Sequence, residues 1–587
     1  MCGILGTTNL LTSNEVVMQA LDHIIQRGPD NQSIKSNGKV IFGHTRLSIV
    51  DLDVRSNQPF TYFHKERSIF LTFNGEIYNF IEIREALIVK GYKFNTESDT
   101  EVVCAAYCEY GMDCFDLFEG MWAIAINEEE KLILSRDRVG KKPLHYSVSK
   151  DENVHFGSSL RSVQILTNNK QISSSAVELY FALGFIPSHF TIYSDIYKVE
   201  PGKIMVFEKS NSTFNLILEK KSNFNQSNFN KSKTIKKQFF NAVNKRLISD
   251  VPVATLMSGG IDSTIVTVLI NKIKPKTPAF FVDFDDAVLS ENKWANYLAK
   301  RNKIKLNTLL LSSEKLQAAF QDYYKVYEEP FSDYSGIPSI AIFKHVSSEY
   351  KVILTGDGGD ELFYGYPSYH RKYVIFTLFD IIKLFKGYNF LSKKLKKIVS
   401  GNKSELESNF LKNHGVVSLF ASKFINDIFN KNIKKSFIKG VINYDREFYN
   451  IPEKYMVKID RASMFSGVEV RSPFLDEHLL SKVKITSLWL LFTPYSSKLY
   501  LKLIYFKLFG FKYLKAAKKG FTPPIQNLRD NNFKEKDYIK LKNYLEVNYS
   551  SIANQINLLQ YSSLLEDLIL FDRFFFFNEW LKRENLI

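Results

Sequence analysis

Short alternations of apolar and polar residues, broken by Gly, Asn and Asp, run through the first two hundred or so positions. Segments 40–42, 68–73 and 131–135 carry the two-residue period of half-buried strands closed by turns. The period changes near Thr100. Apolar residues at 102, 103, 105, 106 and 107 predict a helix from Thr100 to Tyr110. Residues 209–234 are rich in Asn, Ser and Lys without a clear period, which predicts a linker or an irregular hairpin. Beyond it strands alternate with helices: strands over 253–257, 278–284 and 351–354, helices over 264–273 and 291–301. That order predicts a parallel α/β sheet. From about 365 onward the pattern is mostly helical and rich in Phe, Tyr and Lys. The expected organisation is one domain over 2–208, the linker 209–234, and a second domain over 235–587.

Composition narrows the class. The 587 residues are 45% hydrophobic and 24% charged, ordinary globular values that exclude wholesale disorder. No apolar run reaches the roughly 18 residues of a membrane span. The nearest, 373–385, is interrupted by Asp380. The first six residues lack the basic and apolar regions of a secretory signal, so none is expected. The four cysteines are Cys2, Cys104, Cys108 and Cys114; they exclude a disulfide scaffold, and a cytoplasmic location is expected. Cys104 and Cys108 share a helix face but lack the ligands of a zinc set, and are read as core thiols. The net charge of +16 divides into −6 over residues 1–208 and +22 beyond. The lysines are scattered and form no tract, so a solvated basic surface is expected, with no nucleic-acid partner.

Chemistry concentrates in two places. At the first, Cys2 follows the initiator Met, and a small residue there permits removal of Met1. Thiol and free α-amine would then share one residue. An α-amine titrates near 8, so it can take the thiol proton at neutral pH, directly or through a water. Arg46, in His44-Thr45-Arg46-Leu47-Ser48, falls on or just after a predicted strand. Asn74-Gly75-Glu76-Ile77-Tyr78-Asn79 is expected as a turn after a strand ending at Phe73. An Asn side chain and a neighbouring Gly N–H make an oxyanion hole. Either Ser98 or Asp99 can cap the following helix.

Together with Arg27-Gly28-Pro29-Asp30, these segments resemble the glutaminase domain of class II glutamine amidotransferases. The resemblance implies an N-terminal-nucleophile αββα sandwich. It implies that Cys2 attacks the side-chain amide of glutamine, forms a thioester and releases ammonia. Asn74 and the Gly75 N–H would hold the oxyanion, and Arg46 would grip the α-carboxylate as a bidentate fork. Glu76 and Asp99 would take the α-ammonium.

The second place is Ser258-Gly259-Gly260-Ile261-Asp262-Ser263, between a predicted strand and helix. Two glycines let backbone approach a phosphate, and the helix N-terminus offers N–H groups. The loop is neither a Walker A nor a dinucleotide fingerprint. An aspartate inside a phosphate loop makes sense with a bridging cation, which suggests Mg²⁺. A second acidic loop, Thr355-Gly356-Asp357-Gly358-Gly359-Asp360, follows another strand. In a parallel sheet both loops would meet at the carboxyl ends of the strands.

The first of these loops resembles the pyrophosphate loop of ATP pyrophosphatases. The chain from about 2 to 525 resembles the glutamine-hydrolysing asparagine synthetases. Further matching segments are Glu329-Pro330-Phe331-Ser332-Asp333, Asp460-Arg461-Ala462-Ser463-Met464, 469–476 and Lys519-Gly520-Phe521-Thr522-Pro523. The resemblance implies a parallel-sheet ATP-pyrophosphatase domain with a helical C-terminal part. Leu256, Val282, Thr355 and Gly356 would line the nucleotide site, with Ser258, Gly259, Gly260 and Ser263 around the ATP phosphates. Asp262 and Asp360 would hold Mg²⁺ on the pyrophosphate. Asp357 would serve acyl-adenylate formation and its attack by ammonia, and Lys498 would stabilise developing phosphate charge.

The implied reaction is ATP-dependent amidation of aspartate with glutamine-derived ammonia, through β-aspartyl-AMP. The same chemistry on another carboxylate, such as a uronic acid of a surface polysaccharide, is the alternative. Expected partners are these small molecules, with no membrane, and a homodimer is left open. A tRNA-binding protein and a regulatory protein with inactive sites are rival readings. The chain departs from the family at two points. Ser158-Ser159-Leu160-Arg161-Ser162-Val163 stands where Ser-Glu-x-Lys-Ala-Leu is usual, and Tyr364 replaces a glycine. The first departure bears on how the two domains are coupled.

Overall fold

The computed structural model describes residues 2–210, 213–223, 234–285, 292–363, 365, 451–485, 498–510, 523, 529, 532–549, 552 and 560–587. The expected matches at Lys519–Thr522, the apolar run 373–385 and Tyr364 lie outside the described residues.

Two antiparallel sheets of six strands face each other in the N-terminal domain. The first has the order β10 (Tyr197–Lys198), β8 (His145–Val148), β9 (Val154–Gly157), β1 (Gly3–Thr7), β3 (Ile41–Arg46), β2 (Asn31–Ser36). The second runs β12 (Thr213–Lys221), β11 (Lys203–Ser210), β7 (Lys131–Arg136), β6 (Gly120–Glu128), β5 (Arg67–Ile77), β4 (Phe60–His64). Strand alternation builds the layers. Ile4, Phe42, Phe70, Ala125 and Leu134 fill the space between the sheets. Their neighbours on the opposite faces meet helices. Leu5 lies under α1 (Asn14–Asp22) and α5 (Leu160–Thr167) with Val17, Leu21 and Leu166. Phe73 and Ile124 lie under α2 (Phe80–Val89) and α3 (Asp99–Tyr110) with Leu87 and Val103. The αββα sandwich follows.

One expectation changes here. Asn74 to Ile77 do not form a turn. They continue β5, opposite Ala123, Trp122, Met121 and Gly120 of β6. Asn and Gly are turn formers in isolation, but here the ladder with β6 holds them extended. Only glycine fits at 75, where an added Cβ would sit 2.1 Å from the Met121 carbonyl oxygen. Of the two readings of 209–234, the hairpin holds for its first part: residues 213–221 form the edge strand β12, paired to β11 over eight positions with a register shift at Val206/Phe207.

The second domain is built on five strands, ordered β15 (Leu306–Leu311), β14 (Ala279–Phe284), β13 (Val253–Leu256), β16 (Val352–Leu354), β17 (Glu469–Arg471). Every pairing is parallel. From β13 the chain moves outward through α8 (Ile261–Ile273), β14, α9 (Asn292–Arg301) and β15, then returns to the other side of β13. The strand order therefore reverses between β13 and β16, where parallel sheets bind ligands. Both glycine loops emerge at that point.

Helices over 456–464, 477–485, 499–504, 506–509, 535–548, 561–566 and 568–583 make up most of the described C-terminal part. In the last, Phe571, Phe574 to Phe577, Trp580 and Leu581 are buried. Arg573 donates to the Phe181 and Ala182 carbonyls at the end of the helix Ser174–Leu183. The final helix thereby ties residues 174–183 to the second domain.

Candidate active site

β4 pairs with β5 only as far as Leu71, so the outer edge of β5 is open beyond it. Strand alternation points the N–H groups of Phe73, Gly75 and Ile77 toward that edge. Trp122, opposite Gly75, turns both its amide groups to Asp137. The Phe73 N–H is taken by Gln58 Oε1 at 2.6 Å, and the Ile77 N–H by Asp99 Oδ2 at 3.0 Å. The Gly75 N–H between them faces the same open edge.

Cys2, Arg46, Gly75, Glu76 and Asp99 line one pocket along this edge. Asn74 stands beside it. The Cys2 N–H donates to Asn74 Oδ1 at 3.2 Å. Burial pushes the Cys2 thiol up, while the Leu47 amide and the Arg46 charge pull it down. Arg46 ends β3, and its guanidinium is braced by the Asp53 carbonyl at 2.8 Å, Asn57 Oδ1 at 2.7 Å and the Asp51 carbonyl. Ser98 is the cap of α3, accepting from the Glu101 N–H. That frees Asp99 to face the pocket. Burial raises its carboxyl to about 6. Glu76 is also buried and raised well above the usual carboxylate range, Arg471 opposing the shift. Its Oε2 takes Arg471 Nη2 at 3.1 Å, while Oε1 has no partner among the described residues.

The second constellation forms at the strand-order reversal. The loop after β13 is self-braced. Ser263 Oγ accepts from the Ser258 N–H at 3.1 Å and donates to the Gly260 carbonyl at 3.3 Å. Gly260 precedes α8 as its cap, and Gly259 has φ +81°, which glycine adopts without strain. The loop after β16 presses directly on it. A Cβ at Gly356 would lie 2.4 Å from the Ser263 nitrogen, and one at Gly359 would lie 2.5 Å from Asp262 Oδ1. This contact brings Asp262 and Asp360 together. Lys498 Nζ bonds both, Asp360 Oδ1 at 2.6 Å. Burial would lower this lysine, but the two carboxylates raise it. Its backbone lies in the left-handed region, φ +55°, unusual for a side-chain-bearing residue. Thr355 Oγ1 donates to Asp357 Oδ2 at 2.6 Å. Leu256 and Val282 are half-buried side chains on the adjacent strands β13 and β14.

Two connections join the sites, and neither was assigned from the sequence. Arg471, fully buried, reaches Glu76 of the pocket and Glu469, and its carbonyl accepts from the Thr355 N–H at 3.0 Å. Asp460 takes Arg27 Nη2 at 2.9 Å and Lys142 Nζ at 3.0 Å. Against burial, which would raise it, Arg27 and Lys142 hold Asp460 below the usual range. Arg27, Asp460 and Arg471 lay in matching motifs without a role. Nothing in the local sequence marked Lys142. Among the described residues no group of three or more His, Cys, Asp or Glu could hold a metal, and no helix is long and apolar enough to cross a membrane.

Residues 1–217 match the glutamine amidotransferase domain family, and residues 234–543 match the asparagine synthase family. Asparagine synthetase [glutamine-hydrolyzing] 1 of Bacillus subtilis is 29% identical over 81% of this chain and 80% of its own length. Putative asparagine synthetase [glutamine-hydrolyzing] 2 of Methanocaldococcus jannaschii is 30% identical over 79% of this chain and 98% of its own. Amidase chry2 of Gibberella zeae is 28% identical over 60% and 56%.

Proposed function

The chain belongs to the asparagine synthase family, and from that premise we propose that it converts aspartate to asparagine with ammonia drawn from glutamine, driven by cleavage of ATP to AMP and pyrophosphate. The observation that carries the reading is the arrangement of two sites about one arginine. Glu76 of the Cys2 pocket and Thr355 of the acidic loop both bond Arg471.

In the pocket the Cys2 thiolate attacks the glutamine amide carbon, with the α-amine of Cys2 as base once Met1 is removed. The Gly75 N–H and Asn74 Nδ2 hold the oxyanion. Arg46 takes the α-carboxylate, and Asp99 with Glu76 Oε1 the α-ammonium. Ammonia leaves as the thioester forms, and water then releases glutamate. At the other site Ser258, Gly259, Gly260 and Ser263 cradle the phosphates. Leu256, Val282, Thr355 and Gly356 flank the nucleotide. Asp262 and Asp360 would hold Mg²⁺ together with phosphate oxygens, and the ion would neutralise pyrophosphate charge. Lys498 lies against both carboxylates, placed to add its charge to the leaving phosphates. Asp357 stands beside the acyl-adenylate, β-aspartyl-AMP, and handles its attack by ammonia. A free carboxylate does not react with ammonia at useful rates, so adenylation supplies the leaving group. Ammonia must stay unprotonated, which favours internal passage at pH 7.

A second reading keeps the chemistry and changes the acceptor to another carboxylate, such as a uronic acid. One similar protein bears the name amidase and not asparagine synthetase, so the likeness alone does not fix the acceptor. The deciding experiment measures pyrophosphate release from ATP, Mg²⁺ and glutamine with and without L-aspartate, and identifies the amide by mass spectrometry. Aspartate-dependent pyrophosphate with equimolar asparagine is expected. Glutamate release without aspartate-dependent pyrophosphate would overturn aspartate as the acceptor and direct the search to uronic acids and acidic peptides.

A further inference from the structure

The oxyanion reading above leaves a question about Asn74. An Asn side chain has an acceptor end and a donor end, and only the donor end can serve an oxyanion. Two contacts set its orientation. Oδ1 accepts from the Cys2 N–H at 3.2 Å, and Nδ2 donates to Ser158 Oγ at 3.4 Å. The first holds the acceptor end through the Cys2 nitrogen, which keeps an N–H to donate whether or not it also carries the thiol proton. The Ser158 contact does not change with that proton. One Nδ2 hydrogen goes to the serine and the other stays available.

Ser158 is itself firmly placed. It is buried, its N–H donates to the Ile4 carbonyl at 2.8 Å, and its Oγ accepts from the Ile4 N–H at 3.1 Å. It thus continues the pairing of β9 with β1, two residues from the nucleophile. The residues after it are gripped from the second domain. Ser159 Oγ donates to Glu328 Oε1 at 2.5 Å, and the Leu160 N–H to Glu328 Oε2 at 2.9 Å. Glu328 therefore caps α5 in trans, in the segment where this chain lacks its family's usual glutamate. A carboxylate at a helix N-terminus meets free N–H groups and the positive end of the dipole. Glu328 is held in turn by His23 Nε2 at 2.9 Å and, through its carbonyl, by Trp580 Nε1 at 3.4 Å.

We propose that Ser158 is a positioning residue for glutamine hydrolysis, fixing the Asn74 amide with its donor end toward the oxyanion. Glu328 of the second domain holds the segment that carries it. Hydrolysis thereby depends on the docking of the two domains. This rests on the glutaminase reading of the Cys2 pocket, and the test separates the two.

The experiment follows glutamate release from glutamine by the full chain, as wild type, Ser158→Ala, Ser158→Thr, Glu328→Ala and the S158A/E328A double variant, with a thermal unfolding midpoint for each. Removing an oxyanion donor outright costs 10²–10³ in kcat, so a donor left free to turn is expected to cost about ten-fold. S158A should show that loss in kcat with the glutamine KM within about two-fold, because Arg46 and Asp99 are untouched. S158T, which keeps the hydroxyl, should restore most of the rate. E328A should lower kcat in the same way, and should add little in the S158A background. Wild-type kcat in S158A, a loss confined to KM, no rescue by S158T, or additive losses in the double variant would overturn the proposal. So would an S158A chain whose midpoint collapses, which would mark the serine as merely structural. A wild-type chain that releases no glutamate overturns the glutaminase reading itself.

Discussion

Cys2 and Asp99 carry opposite demands at the scale of single residues. In the proposed reaction the thiol must lose a proton in a buried site that resists charge, which calls for a base beside it and Arg46 nearby. Cys2→Ala is expected to abolish glutamate release while leaving pyrophosphate release supported by added ammonia. Loss of both activities would contradict two separate sites. Asp99 must be charged to hold an ammonium, yet burial raises it to about 6. Its carboxylate form prevails above that value and is lost as pH falls through it. The glutamine KM is therefore expected to rise steeply below pH 6 or so, and Asp99→Asn should flatten that limb of the profile. An unchanged profile in the variant would remove Asp99 from glutamine binding. At this scale the sequence was most informative. Cys2, Arg46, Gly75, Glu76 and Asp99 were expected together and share one pocket, while Asp262, Asp360 and Lys498 meet in another place.

Elements decide what those residues can do. The oxyanion role proposed for Gly75 depends on β5 running past the end of β4 and leaving an open edge. A side chain there would collide with the Met121 carbonyl, a backbone atom that cannot step aside. Gly75→Ala should cost about 1–3 kcal/mol or more by overpacking, seen as a lower thermal midpoint, together with lost glutaminase activity. Sequence reasoning placed this stretch in a turn because Asn and Gly have turn chemistry. Pairing with β6 overrode that local preference, as tertiary context does for strands generally. The C-terminal helix tells the same story from the other side. Its consecutive phenylalanines, Phe574 to Phe577, are all buried. The structure surrounds Phe576 with Tyr323, Tyr334 and Phe575. Phe576→Ala is expected to cost roughly 3–5 kcal/mol in unfolding free energy. A measured loss below 1 kcal/mol would place the helix outside the folded core.

The whole molecule is held at its domain boundary by buried charges. Asp460 lies between Arg27 and Lys142 of the first domain. Asp460→Asn would strand two buried cations, and breaking such a pair costs about 3–5 kcal/mol. The variant should unfold earlier and lose glutamine-dependent product before either half-reaction fails. Its pH behaviour has a fixed sign. Asp460 is depressed in the fold, so its stabilisation is present above the free carboxylate value of about 3.9 and is lost as pH falls below it. The sequence by itself determined the family, because its motifs are contiguous: a cysteine at position two with Asn-Gly, and a serine-glycine loop with aspartates. It also determined the alternation that yields a parallel sheet. Only the tertiary structure decided that β5 stays extended through Asn74, that Glu328 caps a helix of the other domain, and that Arg471 stands between the two sites. These are contacts across tens to hundreds of residues, and they depend on which side chains lose water together. Local pattern carries no record of that.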